Sequence, residues 1–144
     1  MRPCMSIAEI EALITREFPQ VRGQFTVQEI TSDGLRLKMH VDDSHLRPGG
    51  TVSGPAMFAL ADCAFYLATL AFIGPQALAV TTSCSIDFMR KPPPGDLWAQ
   101  ARILKLGRVL SVGDVLVFSE AAEAAAVPVA RASLTYSIPP KAAR

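Results

Sequence analysis

The sequence predicts an α+β fold in which an antiparallel sheet of about five or six strands curves around one long helix. Residues 55–73 are almost wholly apolar, which is typical of a helix buried on every side. The segments that follow alternate apolar and polar residues and are separated by short turns, so we expect antiparallel neighbours. Because one sheet covers only part of such a helix, a second subunit is a natural cover for the rest.

The composition fits a single domain over residues 1–144. Half of the residues are hydrophobic, which is enough for one substantial core and argues against intrinsic disorder. A formal net charge of +1 gives no electrostatic footprint for nucleic acid. The three cysteines, Cys4, Cys63 and Cys84, have neither metal-ligand nor redox spacing, so we expect a reduced, cytoplasmic chain without a metal site.

The apolar segment also has the length of a membrane span, but two features argue against that alternative. Asp62 lies near its middle, where a carboxylate costs about 2.5–3.5 kcal/mol on insertion scales. The flanks lack a basic anchor cluster, and acidic residues such as Glu9 and Glu11 interrupt any signal-peptide pattern at the N-terminus. We therefore predict a protein that does not associate with a membrane.

The N-terminal part predicts a helix and a hairpin. Ser6 and Glu9 have the spacing of a capping box, so a helix should cover residues 6 to about 18. Residues 25–31 and 35–41 are joined by an Asp-Gly turn, which is a strong signal for a β-hairpin.

The remaining elements follow a polar loop at residues 42–54, which is long enough to suggest a functional role. Pro55 suits the first turn of the long helix, and Gly74 should end it. Four strands complete the prediction, with an alanine-rich connection at 121–126 in the last hairpin: residues 77–89, 97–106, 109–120 and 127–138.

Three blocks of sequence resemble one known family. They are Arg47-Pro-Gly-Gly-Thr-Val-Ser-Gly-Pro with Leu60-Ala-Asp-Cys-Ala, then Ile86-Asp-Phe-Met-Arg-Lys-Pro-Pro-Pro-Gly-Asp-Leu, and more weakly Lys105-Leu-Gly-Arg. Their order is similar to that of the hot-dog thioesterases of the PaaI-like, phenylacetate-pathway type. The resemblance covers residues 35 to 137, approximately.

The resemblance implies a hot-dog fold and hydrolysis of a small or medium acyl-CoA, with coenzyme A as part of the substrate and no separate cofactor. Asp62 matches the family's catalytic carboxylate, which is a nucleophile or a general base for water. Gly54 matches the residue whose backbone N–H polarises the thioester carbonyl. Thr81 falls where some relatives place a hydroxyl group.

Physical chemistry supports the first two assignments. Hydrolysis of a thioester needs a carboxylate or activated water at the carbonyl carbon and donors at the carbonyl oxygen. A helix start offers free N–H groups, and glycine there leaves room for a ligand. Asp62 is the only charged residue between Arg47 and Asp87.

The spacing of Gly54 and Asp62 predicts an oligomer. The two residues are eight positions apart on one helix, roughly 12 Å along its axis, so one carbonyl group cannot touch both. Two antiparallel helices related by a two-fold axis would set Asp62 of one chain against Gly54 of the other. We expect a site at the interface of a homodimer, or of a homotetramer built from two dimers.

The substrate-binding candidates fall into two groups. An acyl tunnel beside the helix would be lined by Met57, Phe58 and Phe65. The phosphates of coenzyme A could meet basic side chains at turns, although these could equally be solvated charges: Arg47, Arg90, Lys91, Lys105 and Arg108.

The helix start departs from the family pattern. Ser53 stands where many relatives have histidine, and Pro55 stands where many have a second glycine, which removes one N–H. The alternative function is therefore a non-catalytic module that binds acyl-CoA or another acyl ligand, with Asp62 in a structural role. A dehydratase would need a histidine on the long helix or at its start, and the sequence has none there.

Overall fold

The structure, a computed structural model, describes residues 1–121 and 127–140. Most of the predicted alanine-rich connection at 121–126 therefore lies outside the described residues. Two α-helices are present, α1 (Ile7–Glu17) and α2 (Gly54–Ile73). The strands are β1 (Phe25–Ile30), β2 (Gly34–Met39), β3 (Val80–Phe88), β4 (Leu97–Leu106), β5 (Leu110–Ser119) and β6 (Ala130–Ser137).

The predicted sheet around one long helix is confirmed. The prediction that β3 and β4 are neighbours was wrong, because β3 pairs with β6 whereas β4 pairs with β2 and β5. The six strands form one antiparallel sheet in the order β1-β2-β4-β5-β6-β3, and α2 packs against five of them. By length and composition α2 could cross a membrane, but 78% of its most apolar window is buried inside the fold. The apolar run is thus the core helix of the domain.

The ends of α2 are set by local chemistry. Ser53 is the N-cap, and its Oγ accepts a hydrogen bond from the N–H of Ala56 at 3.2 Å. At the other end Gly74 has φ +97°, a conformation that favours glycine, and its N–H donates to the carbonyl of Leu70.

One stripe of α2 is left uncovered by its own chain. Pro55, Phe58 and Ala59 are exposed and Asp62 is half-buried. Their spacing of three, four and seven residues places them on one helix face. The remainder of the helix is almost entirely buried against the sheet, so only this face can meet a ligand or a second chain.

The predicted capping box of α1 is present, with hydrogen bonds in both directions between Ser6 and Glu9. The helix packs along β1, where the Oε1 of Glu11 accepts a hydrogen bond from the N–H of Val27 at 2.8 Å. This contact places the C-terminal end of α1 beside the exposed stripe of α2.

Strand β3 differs from its prediction in two ways. It begins at Val80 and not at residue 77, and a bulge between Thr81 and Ser83 shifts the alternation. Regular alternation would put Val80 and Ile86 on one face of the strand, but Val80 is 56% exposed whereas Ile86 packs on the core. The bulge turns Thr81 toward α2, which simple alternation did not predict. β3 is also an edge strand, so among residues 1–121 and 127–140 one of its sides has no paired strand.

The close approach of β4, β5 and α2 gives the first testable prediction. A Cβ at Gly113 would overlap the carbonyl oxygen of Arg102 and lie 2.5 Å from Cε1 of Phe65. Gly113→Ala should therefore lower the free energy of unfolding by at least about 2 kcal/mol in urea denaturation. In the matched control Gly107→Ala the nearest atom is 3.5 Å away, and we expect a change below about 0.5 kcal/mol. Equal stabilities of the two variants would contradict this account of the packing.

Candidate active site

Asp62 lies at the floor of a cleft of about 560 Å³ between the end of α1, β1, the uncovered stripe of α2, and β3. The lining is mainly aromatic and small apolar side chains, with a few polar groups among them. The residues that line the cleft together with Asp62 include Phe18, Phe25, Phe58, Ala59, Cys63, Tyr66, Ala79, Val80, Thr81 and Tyr136. The cleft combines an apolar chamber with one half-buried carboxylate, an arrangement suited to chemistry at the head of an apolar group.

Two hydroxyl groups hold the carboxylate. Thr81 Oγ1 donates to Asp62 Oδ1 at 2.6 Å, and Tyr136 Oη lies 2.7 Å from the same oxygen. The phenol is also 3.0 Å from the main-chain carbonyl oxygen of Asp62. Thr81 and Tyr136 face each other across the β3–β6 pairing, so the sheet delivers both hydroxyls to one point.

The structure thus brings the predicted Thr81 to Asp62 and adds Tyr136, which the sequence analysis missed. Alternation in the last strand could have marked Tyr136 as inward-facing. Its hydrogen-bond partner Asp62, however, is 74 residues away in the sequence, and no local pattern indicates that the two residues meet.

Three titratable side chains close to Asp62 are neutral at physiological pH, namely Tyr136, Cys63 and Tyr66. Burial raises the pKa of the Tyr136 phenol, so it stays protonated and able to donate. Burial, with the charge of Asp62, raises the pKa of the Cys63 thiol to about 12, so a thiolate nucleophile at this position is disfavoured. Burial also raises the pKa of Tyr66 to about 12, and its hydroxyl donates to the carbonyl of Ala77 at 2.8 Å.

A second hollow of about 400 Å³ lies at the start of α2. It brings together Gly54, Met57 and three of the predicted basic residues, Arg47, Arg90 and Lys91. Phe88 covers Gly54 so closely that an added Cβ would lie 3.4 Å from Cζ of the ring. Glycine at this position therefore leaves space at the helix start that a side chain would fill.

Gly54 and Asp62 line different hollows of the same chain, as their spacing along α2 predicts. Ser53 directly precedes Gly54, and its hydroxyl is already engaged as the N-cap of α2. A single chain therefore does not place the carboxylate and the N-terminal glycine at one reacting group.

Other predicted residues lie elsewhere. Phe65 is fully buried and packs on Tyr136 with ring centroids 5.7 Å apart, so it supports the site from behind and does not line the cleft. Lys105 lies near the β4–β5 turn, and Arg108 lies in it. Arg108 lines a separate hollow with Phe72 and Ile73 at the C-terminal end of α2.

Neither histidine takes part in the cleft. His40 Nε2 is 2.7 Å from the hydroxyl of Thr26, and His45 Nδ1 accepts from the N–H of Asp42 at 2.9 Å. Among residues 1–121 and 127–140, no group of three or more His, Cys, Asp or Glu side chains could hold a metal ion.

A core helix wrapped by one antiparallel sheet is the architecture of a hot-dog protein. The thioesterase superfamily sequence profile matches residues 49–137. The chain therefore belongs to the thioesterase superfamily, and the expected PaaI-like hot-dog fold is confirmed.

Solved structures of similar proteins have the same fold. A candidate thioesterase from Silicibacter sp. TM1040 is 50% identical, with a TM-score of 0.87 over 97% of this chain and 96% of that one. A mutant of the phenylacetic acid degradation protein PaaI from Thermus thermophilus is 29% identical, with a TM-score of 0.70 over 84% and 99%. A Haemophilus influenzae thioesterase, 19% identical, shares the fold with a TM-score of 0.78 over 96% and 94%. No curated protein matches the chain significantly.

Proposed function

We propose that the protein is an acyl-CoA thioesterase in which Asp62 of one chain and the Gly54 N–H of a second chain act on the same thioester. The observation that carries the proposal is the half-buried Asp62 carboxylate, held at Oδ1 by two hydroxyls at the floor of an apolar cleft. Membership of the thioesterase superfamily supports thioester hydrolysis as the reaction class.

Asp62 has two routes to the products. As a general base it takes a proton from water, whose oxygen attacks the carbonyl carbon; the C–S bond breaks and the proton passes to the sulfur of coenzyme A. As a nucleophile it attacks the carbonyl carbon itself, expels the thiolate and leaves an anhydride that water hydrolyses. In both routes negative charge develops on the carbonyl oxygen, where the Gly54 N–H would stabilise it.

The second chain is proposed from the uncovered surface. Strand β3 is an edge of nine residues, and exposed apolar side chains lie beside it and on α2, among them Phe58, Val80 and Phe88. A long edge with apolar neighbours is a template for pairing with another strand. A two-fold axis through this surface would pair the α2 helices antiparallel and carry Asp62 to the partner's Gly54. A tetramer would then be two such dimers.

The cations at the start of α2 suit the phosphates of coenzyme A. Arg47, Arg90 and Lys91 share the hollow that contains Gly54. The chain that polarises the carbonyl would therefore also bind the nucleotide. Lys105 and Arg108 lie toward the opposite end of α2, and we propose that they could bind phosphate groups from the second chain of the dimer. We propose no separate cofactor and a cytoplasmic location.

The test is thiol release from a panel of short-chain, medium-chain and aromatic acyl-CoAs. We expect turnover of at least one member, and we propose small or medium acyl groups as the substrates. Absence of thiol release over the whole panel would contradict the proposal.

Dimer formation gives the second testable prediction. Phe58→Lys places a charge in the centre of the proposed seam, so light scattering after size exclusion should show a monomer with loss of thioesterase activity. Leu104→Lys is the matched control, since Leu104 is 60% exposed on β4, away from this surface. A Phe58→Lys protein that keeps the dimer mass would contradict the seam.

One observation favours the alternative, a non-catalytic module that binds acyl-CoA. Pro55 has no N–H, and the N–H of Ala56 is already bonded to Ser53, which leaves few free donors at the helix start. This alternative predicts saturable calorimetric binding of acyl-CoA without thiol release.

A further inference from the structure

We infer that Tyr136 is a positioning residue that, with Thr81, gives the two oxygens of Asp62 different tasks. Oδ1 is the anchored oxygen and Oδ2 is the reacting one. This inference rests on the proposed thioesterase function and extends it to a residue to which the resemblance assigns no role.

The hydrogen bonds are asymmetric. Both hydroxyls meet Oδ1, at 2.6 Å from Thr81 and 2.7 Å from Tyr136. Within residues 1–121 and 127–140, Oδ2 accepts no protein hydrogen bond. A carboxylate that is free to rotate about χ2 exchanges its two oxygens. Two donors on one oxygen oppose that rotation and hold the second oxygen in a constant direction.

Tyr136 is suited to this task because it is itself immobile. Its side chain is buried on the central sheet, with ring centroids 5.7 Å from Phe65 and 6.0 Å from Tyr66. Its hydroxyl also lies 3.0 Å from the main-chain carbonyl oxygen of Asp62, so it locates both the backbone and the side chain of that residue. A precise supporting shell of this kind keeps a reacting group within catalytic tolerance.

The groups around Asp62 leave the two hydroxyls as its main polar partners. On α2, Cys63 and Tyr66 have pKa values raised by burial to about 12 and are neutral. On β3, the pKa of the Cys84 thiol is raised by burial and by the charge of Asp62. Glu17, at the end of α1, is the other carboxylate that lines the cleft. Loss of a hydroxyl donor should therefore act directly on the ionised form of Asp62.

The experiment compares wild type with Tyr136→Phe, and uses Tyr66→Phe as the matched control. Tyr66 is a buried tyrosine of the same cleft whose hydroxyl bonds Ala77 and not Asp62. Two readouts are taken: kcat and KM for thiol release, and the ¹³C chemical shift of the Asp62 carboxyl at one fixed pH, assigned with Asp62→Asn. The NMR measurement needs no turnover.

We expect Tyr136→Phe to lower kcat about tenfold, to change KM less than twofold, and to shift the ¹³C resonance of the Asp62 carboxyl. Tyr66→Phe should leave that resonance where it is. Should Tyr136→Phe not fold, Thr81→Val removes the other donor and should move both readouts the same way, whereas Thr81→Ser should restore them.

Active wild type together with an unchanged kcat and an unmoved Asp62 resonance in Tyr136→Phe overturns the inference and leaves the thioesterase proposal intact. No thiol release by wild type defeats the thioesterase proposal and, with it, the role of Tyr136 in the reaction. The NMR measurement then decides only whether the hydrogen bond to Asp62 exists.

Discussion

Asp62→Asn should lower kcat for thioester hydrolysis by about 10²–10⁴-fold while leaving the fold intact. Asparagine keeps an Oδ1 that can still accept from Thr81 and Tyr136, so the anchoring contacts survive. The change replaces Oδ2 with an amide that can neither accept a proton nor attack a carbonyl carbon. The loss should thus appear in kcat and only weakly in KM.

Initial rates of thiol release with the best substrate of the panel measure this effect. Asp114→Asn is the control, because Asp114 is a surface carboxylate paired with Arg102 and makes no contact with the cleft. We expect wild-type kinetics for it. Equal rates of the wild type and Asp62→Asn would show that the carboxylate is not the reacting group and would favour the acyl-binding alternative.

Phe65→Ala should reduce the free energy of unfolding by about 3–5 kcal/mol, the usual cost of deleting a large core aromatic. Phe65 is fully buried, sits against Gly113 of β5 and packs on the ring of Tyr136. Its removal opens a cavity at the contact between α2 and the sheet. Since Tyr136 loses its support as well, kcat should fall in the molecules that remain folded.

Urea unfolding followed by circular dichroism measures the stability of this variant. Leu104→Ala removes a comparable apolar side chain from an exposed position on β4, and we expect a change within about 0.5 kcal/mol. A loss of less than about 1 kcal/mol for Phe65→Ala would mean that the core collapses around the missing ring.

Much of the fold could be predicted because its signals are local. The apolar run of α2, its proline and glycine at the two ends, and the capping box of α1 each act within a few residues. Short turns correctly predicted the antiparallel β1–β2 and β4–β5 pairs. The same argument was wrong for β3 and β4, because β3 lies at the edge of the sheet and pairs with β6. The alternation predicted for β3 was also wrong, because the bulge after Thr81 depends on how this strand meets β6 and α2.

The candidate site likewise contains residues that the sequence indicated and residues whose positions depend on the tertiary structure. Asp62 and Gly54 stood out because a lone carboxylate and a glycine at a helix start are unusual in an apolar helix. Phe65 also stood out, as a candidate wall of the acyl tunnel, although the core takes up its whole side chain. Which aromatic residues face the cleft depends on the curvature of the sheet, and composition does not encode that directly.

By itself the sequence determined the class of fold, the core helix and the carboxylate at its centre. Hydrophobic periodicity and a single charged residue within an apolar run can both be recognised from neighbouring residues. Only the tertiary structure decided that Thr81 and Tyr136 meet at Asp62 Oδ1, and that Arg47, Arg90 and Lys91 gather around Gly54. These contacts join residues far apart in the chain. Their positions follow from sheet register and from one β-bulge, which arise when the strands pack together.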